Sequence, residues 1–248
     1  MIKFMVHFVK IVVTAIVALL FGSCQYHIDG IGETITGSGN VVTKERDLKD
    51  FTKIEVSRAL DCEVYQSDNF KVEVIADDNL VNHIKTEVLN GKLKISSDYG
   101  NYRNVKSKLI RVYLPIIDVL EATSAANMTT KTTIKSNEIL IKSSSAADIN
   151  ATVESEKIKL ESTSGSDITA SGKAIDLYTQ SSSGSDINAG KLLANNVNSQ
   201  STSGSDTTVN PILSLSAKAS SGASIEYTKT PKSISKQTTS GGSISSSY

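Results

Sequence analysis

Residues 164–168 have the sequence Ser164-Gly165-Ser166-Asp167-Ile168, and residues 183–187 repeat the same five residue types. Five more segments keep the same general order of small, polar and apolar residues, at 124–128, 145–149, 203–207, 221–225 and 240–244. The first serines of these seven units are 21, 19, 19, 20, 18 and 19 residues apart. A period near 20 predicts a β-solenoid with one coil per unit.

Apolar residues recur at the same places around these units. Ile158 and Leu160 precede one unit, and Ile168 and Ala170 follow it, in each case two positions apart. This alternation is typical of β-strands with one buried side. It predicts about seven clear coils of 18–21 residues within 116–248, filled with stacked Ile, Val, Ala and small hydroxyl side chains. Because a disordered Ser/Thr-rich tail has no reason to keep apolar positions in phase, we expect this stretch to fold.

The part of the chain from 41 to 115 alternates in the same way but shows no repeat. Ile54 and Val56 lie two positions apart, and Asn90-Gly91 is the dipeptide that best fits a tight hairpin turn between two alternating segments. Pro115 stops the alternating segment that precedes it. We therefore predict an all-β fold in one domain over 41–248, in which the strands and hairpin of 41–115 cover one end of the coils.

The first 23 residues predict a signal peptide. Lys3 and Lys10 give a positive start, residues 11–21 are uncharged, and Gly22-Ser23-Cys24 follows. The run is short for a membrane span, and its ending resembles a bacterial lipoprotein signal, in which Cys24 becomes the lipidated first residue. Ordinary secretion is the alternative. Residues 24–40 are glycine-rich and are expected to be a tether.

The composition excludes several function classes. Lys and Arg number 26 against 26 Asp and Glu, so no net field attracts nucleic acid. Trp is absent, and three His and two Cys are too few for a zinc cluster or a disulfide scaffold. Cys62 alternates with Val64 on one side of an expected strand, which indicates a buried small side chain and not a reactive thiol.

With both halves of the chain laid out, the sequence resembles the putative auto-transporter adhesin, head GIN domain family. The resemblance rests on the repeated Ser-Gly-Ser-Asp-Ile coils together with the segments at 37–42, 51–56, 70–74, 79–80 and 90–95. It implies a right-handed parallel β-helix on an exported, often lipid-anchored protein. The adhesin label of the family is an analogy, and the resemblance supplies no catalytic residues.

The aspartates of the repeat predict a ladder. Asp148, Asp167, Asp186 and Asp206 occupy one position in consecutive coils, so their carboxylates are expected about 4.8 Å apart. Such a ladder could share Ca²⁺, and β-helical polysaccharide-cleaving enzymes also gather acids on adjacent coils. The simpler interpretation is that each Asp bonds backbone amides at its turn. No calcium repeat of the nine-residue type is present, and no cofactor is expected.

Tyr99, Tyr102 and Arg103 form a second candidate site. They are expected in a loop that offers two aromatic rings and a cation to a sugar or a partner protein. The alternative is an ordinary Gly/Asn turn with partly exposed tyrosines.

These patterns predict a non-catalytic binding or structural module in the cell envelope, and the resemblance implies an adhesin-like role. It would be an outer-membrane lipoprotein, held through its lipid anchor on the periplasmic or the outer face, and would contact glycan or an envelope or host protein through a repetitive polar face. The alternatives are a carbohydrate-active enzyme using the Asp ladder and a passive periplasmic scaffold. Homo-oligomers through the solenoid ends are a further hypothesis.

Overall fold

A computed structural model of the chain describes residues 33–247 together with Lys10. The chain divides into two compact units, Met1–Glu33 and Thr34–Tyr248, and the second is the fold described below. The predicted signal peptide and the proposed lipidation site at Cys24 lie outside the described residues, apart from Lys10. Residues 33–247 form strands and turns only. A helix long and apolar enough to cross a membrane is not found in the described part of the chain.

Nineteen strands make up the fold. Their bounds are β1 Thr34–Thr36, β2 Val41–Arg46, β3 Lys53–Val56, β4 Asp61–Gln66, β5 Lys71–Asp77, β6 Ile84–Leu89, β7 Lys92–Ser97, β8 Asn101–Arg103, β9 Lys108–Leu114, β10 Val119–Thr123, β11 Asn127–Thr130, β12 Ile134–Ser144, β13 Asp148–Thr163, β14 Asp167–Ser182, β15 Asp186–Thr202, β16 Asp206–Ser220, β17 Ser224–Tyr227, β18 Ser233–Thr239 and β19 Ser243–Ser246. β10 to β19 follow one another as parallel layers of a solenoid, as the 20-residue period predicts.

Each five-residue repeat unit begins with a two-residue turn, and both turn residues have a left-handed backbone conformation. Ser164 and Gly165 have φ values of 60° and 64°, after which Ser166 points inward, Asp167 outward and Ile168 inward. The turns stack, because the Gly165 N–H donates to the carbonyl of Ser183 in the next coil at 3.1 Å. Glycine at the second position avoids the cost of this backbone conformation because it has no Cβ, whereas Ser164 carries that cost.

In-register pairing places like residues above one another inside the coils. Ile149, Ile168 and Ile187 are successive partners in β13, β14 and β15, and each is at most 2% exposed. Ile158 and Leu177 form a second buried column from the strand segment that precedes the turn. The predicted inward positions are confirmed.

Hydroxyl groups fill the core beside the turns. The Ser181 Oγ lies 2.9 Å from the hydroxyls of Ser201 and Ser205 and 2.8 Å from that of Thr207. All four residues are buried, so the hydroxyls compensate one another for their loss of water. The Ser166 Oγ also accepts the N–H of Thr163 at 3.2 Å, which explains a serine at the third position of the unit.

One coil begins earlier than the sequence analysis expects. Arg58 and Ala59 have φ values of 59° and 54°, followed by buried Leu60, outward Asp61 and buried Cys62. The Ala59 N–H donates to the Ser124 carbonyl at 2.9 Å, so this turn joins the same stack. Strands β3 and β4, assigned above to the strand and hairpin region, are thus an eighth coil in parallel register with β10 and β11.

The other side of this coil is covered as predicted. β7 and β9 pair parallel to β3 and β4, and three antiparallel strands then close the end, β6 on β7, β5 on β9 and β2 on β5. Asn90 and Gly91, with φ values of 51° and 70°, form the tight turn between β6 and β7. Charged side chains such as Lys85 and Glu87 on β6 discourage further strand pairing at this edge.

The expected tether is too long, because residues 34–40 belong to the fold. β1 pairs with β8, and Ile35 is buried. The Gly37 N–H donates to the Arg103 carbonyl at 2.9 Å, and a Cβ on Gly37 would lie 2.4 Å from an oxygen of Asp77. Gly37 therefore permits close approach of the backbone to the body of the protein.

Asp77 holds this segment in place. Its side chain is fully buried and accepts the N–H groups of Gly39 at 2.8 Å, Lys106 at 3.0 Å and Ser107 at 2.9 Å. Burial opposes the charge, but the three backbone donors prevail and lower the pKa of Asp77 below its ordinary value.

The last coil leaves its inner side open. Ile234 and Lys236 of β18 occupy the positions that Leu215 and Ala217 fill in β16, and the whole of β18 is exposed. The Lys236 ammonium lies 4.5 Å from the Tyr227 ring centre and donates to its hydroxyl at 2.9 Å. An inward-pointing cation on an edge strand hinders pairing with a further strand.

Alanine substitutions at two glycines with positive φ distinguish the cost of backbone strain from the cost of steric overlap. We expect Gly165→Ala to cost about 1 kcal/mol, because the φ of 64° is strained for alanine although the space beside it is open. Gly172→Ala should cost about 3 kcal/mol or more, since its Cβ would lie 2.0 Å from the Val153 carbonyl oxygen. Urea unfolding of both variants measures the difference, and equal losses would contradict the packing described here.

Asp77→Asn should destabilise the fold by about 2 kcal/mol at neutral pH, because an amide NH₂ would face a backbone donor. The Asp77 contribution is present above the pKa of the unfolded chain and is lost as the pH falls through the lowered folded pKa, so the difference should shrink in acid. The control is Asp78→Asn, which removes an exposed carboxylate bonded to Ser38 and Asn40 and should cost much less. Equal effects for the two variants, measured by urea unfolding, would refute the role of Asp77.

Candidate functional site

The structure brings the four predicted aspartates into one ladder. Asp148, Asp167, Asp186 and Asp206 are successive register partners on the outward side of the strand that follows each turn, and all four are exposed. The Asp206 N–H points to the Asp186 carboxylate at 3.3 Å. At this rung the carboxylate thus accepts a backbone amide of the next coil, a contact of the kind that the simpler interpretation expects.

The ladder has an extra acidic rung that the sequence analysis missed. Asp61 is the register partner of Asn127, whose amide donates to it at 2.8 Å, and Lys108 forms an ion pair with it at 2.9 Å. The signal was present in the sequence, since Asp61-Cys62 keeps the polar-apolar order of the unit. It was hidden because Arg58-Ala59-Leu60 replaces the Ser-Gly-Ser triplet.

Burial and neighbouring charges both disfavour the ionised form of Asp167, in the middle of the ladder. Partial burial and the neighbouring carboxylates of Asp186 and Asp148 raise the pKa of Asp167. In residues 33–247, no three His, Cys, Asp or Glu side chains converge as a set of metal ligands. The calcium ladder stays a prediction.

Tyr99, Tyr102 and Arg103 lie in a more ordered setting than a free loop. Residues 101–103 are β8, and the Tyr102 hydroxyl donates to the carbonyls of Arg58 at 3.0 Å and Tyr99 at 3.1 Å. The Tyr99 ring meets His83 edge-on at 4.9 Å. Both tyrosines are half-buried by the body of the protein, and Arg103 alone of the three is exposed. Most of the expected ring surface is therefore used in packing.

A flat polar surface lies on the strand segments that precede the turns. We call it the amide face and define it by the outward side chains of β14 and β15, namely Asp176, Tyr178, Gln180, Asn196, Asn198 and Gln200. Three shallow depressions of about 290, 290 and 310 Å³ lie on and beside this surface. None of the four predicted ladder aspartates lines any of the three.

Tyr178 stands between two of these depressions. Its side chain is 41% exposed, and the Lys157 ammonium is 5.7 Å from its ring centre. One depression also includes Lys159 and Gln180, and the other includes Asn196. Residue patterns along the chain do not reveal this surface, because residues from different coils align only when the register of the strands is known.

The sequence pattern of one family matches most of the chain. This family is described as putative auto-transporter adhesin, head GIN domain, and the match covers residues 50–231. The chain belongs to this family. The resemblance inferred from the coils and the preceding strands is confirmed, and no curated protein sequence matches the chain.

Solved structures share the fold of this head GIN domain. A putative adhesin from Bacteroides fragilis is 23% identical with a TM-score of 0.79, over 86% of this chain and 99% of its own. A putative adhesin from Parabacteroides merdae is 16% identical with a TM-score of 0.70, over 87% and 100%. A putative lipid binding protein from Parabacteroides distasonis is 20% identical with a TM-score of 0.70, over 87% and 100%. The β-helix is thus shared by proteins with different names.

Asp167→Asn is expected to stabilise the fold at neutral pH by a few tenths of a kcal/mol. Two carboxylates roughly 4.8 Å apart in water repel by about 0.9 kcal/mol before salt screens them. The gain is present above the raised folded pKa of Asp167 and disappears as falling pH protonates the carboxyl in the folded and the unfolded chain.

Thermal unfolding at neutral and acidic pH, with and without salt, measures this effect. A gain that persists in acid would contradict a charge effect. If millimolar Ca²⁺ raises the melting temperature of the unsubstituted chain and Asp167→Asn removes that rise, the calcium alternative gains support instead.

Proposed function

We propose that this head GIN domain is a non-catalytic, adhesin-like binding module of the cell envelope. It is anchored by a lipid on Cys24 and contacts its ligand through a flat, repeated polar surface. Each contact is weak, and strength comes from the sum of contacts along the surface and between neighbouring anchored copies. Ligand contact by a rigid solenoid needs no ordering of the protein, which lowers the entropic cost of binding.

The observation that carries this proposal is the amide face. Its outward side chains lie in straight rows, set by parallel pairing of β13 to β16, and they include unpaired polar groups on a rigid support. Surface polar groups held in fixed positions are suited to recognition, and membership of an adhesin family agrees with that use. A passive scaffold would need no such surface.

The enzyme alternative has less support. A glycosidase needs a proton donor and a second carboxylate on either side of a bound sugar. The predicted ladder aspartates lie on the strand segments after the turns, whereas the depressions lie on and beside the amide face, before the turns. The aspartates therefore line none of the three depressions. Asp148, Asp167 and Asp186 also lie in one column on the same side of the strands, so they do not flank a bound sugar from two sides.

Protease treatment of intact cells tests the location and the binding role together. We expect protease to remove the solenoid while a periplasmic control protein survives, since an adhesin must be accessible from outside. Cys24→Ala is the matched variant and should move the protein from the membrane fraction to the soluble fraction. Protection of the solenoid until the outer membrane is broken would overturn the adhesin proposal and favour a periplasmic module.

Homo-oligomers through the solenoid ends are a separate part of the proposal. The N-terminal end carries charged antiparallel strands, and the last coil presents Lys236 at an inward position. Both features oppose strand pairing between copies. The feature that favours an interface is Ile234, an apolar side chain exposed on the last coil. Light scattering of the purified chain over a range of concentrations decides between monomer and oligomer.

A further inference from the structure

We propose that the amide face binds uncharged sugar rings of a glycan, with Tyr178 as the stacking platform and Asn198, Gln180 and Gln200 as hydrogen-bonding groups. This inference rests on the proposed binding function and assigns its site and ligand class. The site combines one aromatic ring, several planar amides and open depressions on both sides of the ring.

The ring supplies the apolar part of the contact. A pyranose has faces made of C–H groups that pack flat against an aromatic ring, and the Tyr178 side chain is exposed to 41%. The depressions on its two sides measure about 290 and 310 Å³, so a sugar on the ring has neighbouring space for the next unit of a chain. A linear glycan can therefore pass over Tyr178 from one depression into the other.

The amides supply the polar part. The side chains of Gln180, Asn198 and Gln200 make no hydrogen bond with other groups of residues 33–247. Each amide has a donor and an acceptor in one plane, which matches two neighbouring sugar hydroxyls. Asn196 differs, because its amide donates to Asp176 at 2.9 Å and accepts from Ser214 at 2.9 Å. Asn196 is thus held in one orientation in the lining of the depression that also includes Asp176 and Tyr178.

The charges around the site favour a neutral ligand. Lys157 and Lys159 lie near Tyr178, but both are paired with Glu138, at 3.1 Å and 2.9 Å. Asp176 adds a negative charge to the other depression. An acidic glycan would meet no cluster of unpaired cations here, whereas neutral hydroxyls can bond to the amides at little desolvation cost.

A protein partner fits this surface less well. Protein interfaces depend on several buried aromatic or apolar anchors, and Tyr178 is the one aromatic residue among those that line the three depressions. The larger exposed apolar side chains of β14 to β16 outside the amide face, Ile175, Leu193 and Leu213, line none of these depressions. Sugar stacking, in contrast, needs a single ring.

The test uses the full chain, purified in detergent, on an array of immobilised oligosaccharides. The neutral set contains linear chains of glucose, galactose, mannose or N-acetylglucosamine, and a second set carries carboxylate or sulfate groups. We expect binding to members of the neutral set. Tyr178→Ala should weaken it by about tenfold or more, and Asn198→Ala by several-fold, while Tyr178→Phe should keep it within about twofold.

Leu193→Ala is the matched control, since Leu193 is 40% exposed and lines none of the three depressions. It should bind like the unsubstituted chain, and all variants should keep the same melting temperature, because these are surface substitutions. Absence of binding to the neutral set, or binding that Tyr178→Ala leaves unchanged, would overturn the sugar site. Binding confined to the acidic set would overturn it too, yet it would leave the general binding function in place.

Discussion

The whole fold depends on one hydrogen bond that is repeated along the solenoid, from the second residue of each left-handed turn to the carbonyl of the next coil. Seven such bonds of 2.9–3.1 Å join eight turns, from Ala59 to Ser240. They fix the register of every strand that leaves a turn, so a shift of one residue would turn a whole column of core side chains outward. The left-handed backbone that allows them costs about 1–2 kcal/mol per non-glycine residue, which explains why glycine is the second residue in five of the eight turns.

The surface chemistry follows from the same register. Residues that are 18 to 21 positions apart in the sequence become neighbours, so any side chain on the outward side becomes part of a row. On the strands after the turns the row is acidic, and partial burial together with the two neighbouring carboxylates raises the pKa of Asp167. On the strands before the turns the row contains amides and a tyrosine. The solenoid thereby presents two surfaces of different chemistry without any deep cavity among the three depressions described.

Much of the architecture could be predicted from residue types alone, and the misses have physical reasons. The hairpin at Asn90-Gly91 and the buried Cys62 depend on local conformation and alternation, and both are confirmed. The coil at Arg58 was missed because a buried Leu60 fills the place of a small residue. The glycines near Gly37 indicated a tether, but Gly37 itself permits close contact with Asp77, a residue 40 positions away. Composition cannot distinguish these two uses of glycine.

The sequence by itself determined the solenoid, the length of its coils, the inward positions and the acidic ladder, because each depends on a period that can be counted along the chain. Only the tertiary structure decided which coil is first, how the antiparallel strands close that end, and which outward residues share a surface. Small differences in coil length and a bulge between Thr169 and Ser171 shift the alignment of the strands. For that reason the neighbourhood of Tyr178 and Asn198 follows from backbone pairing in three dimensions and not from counting residues.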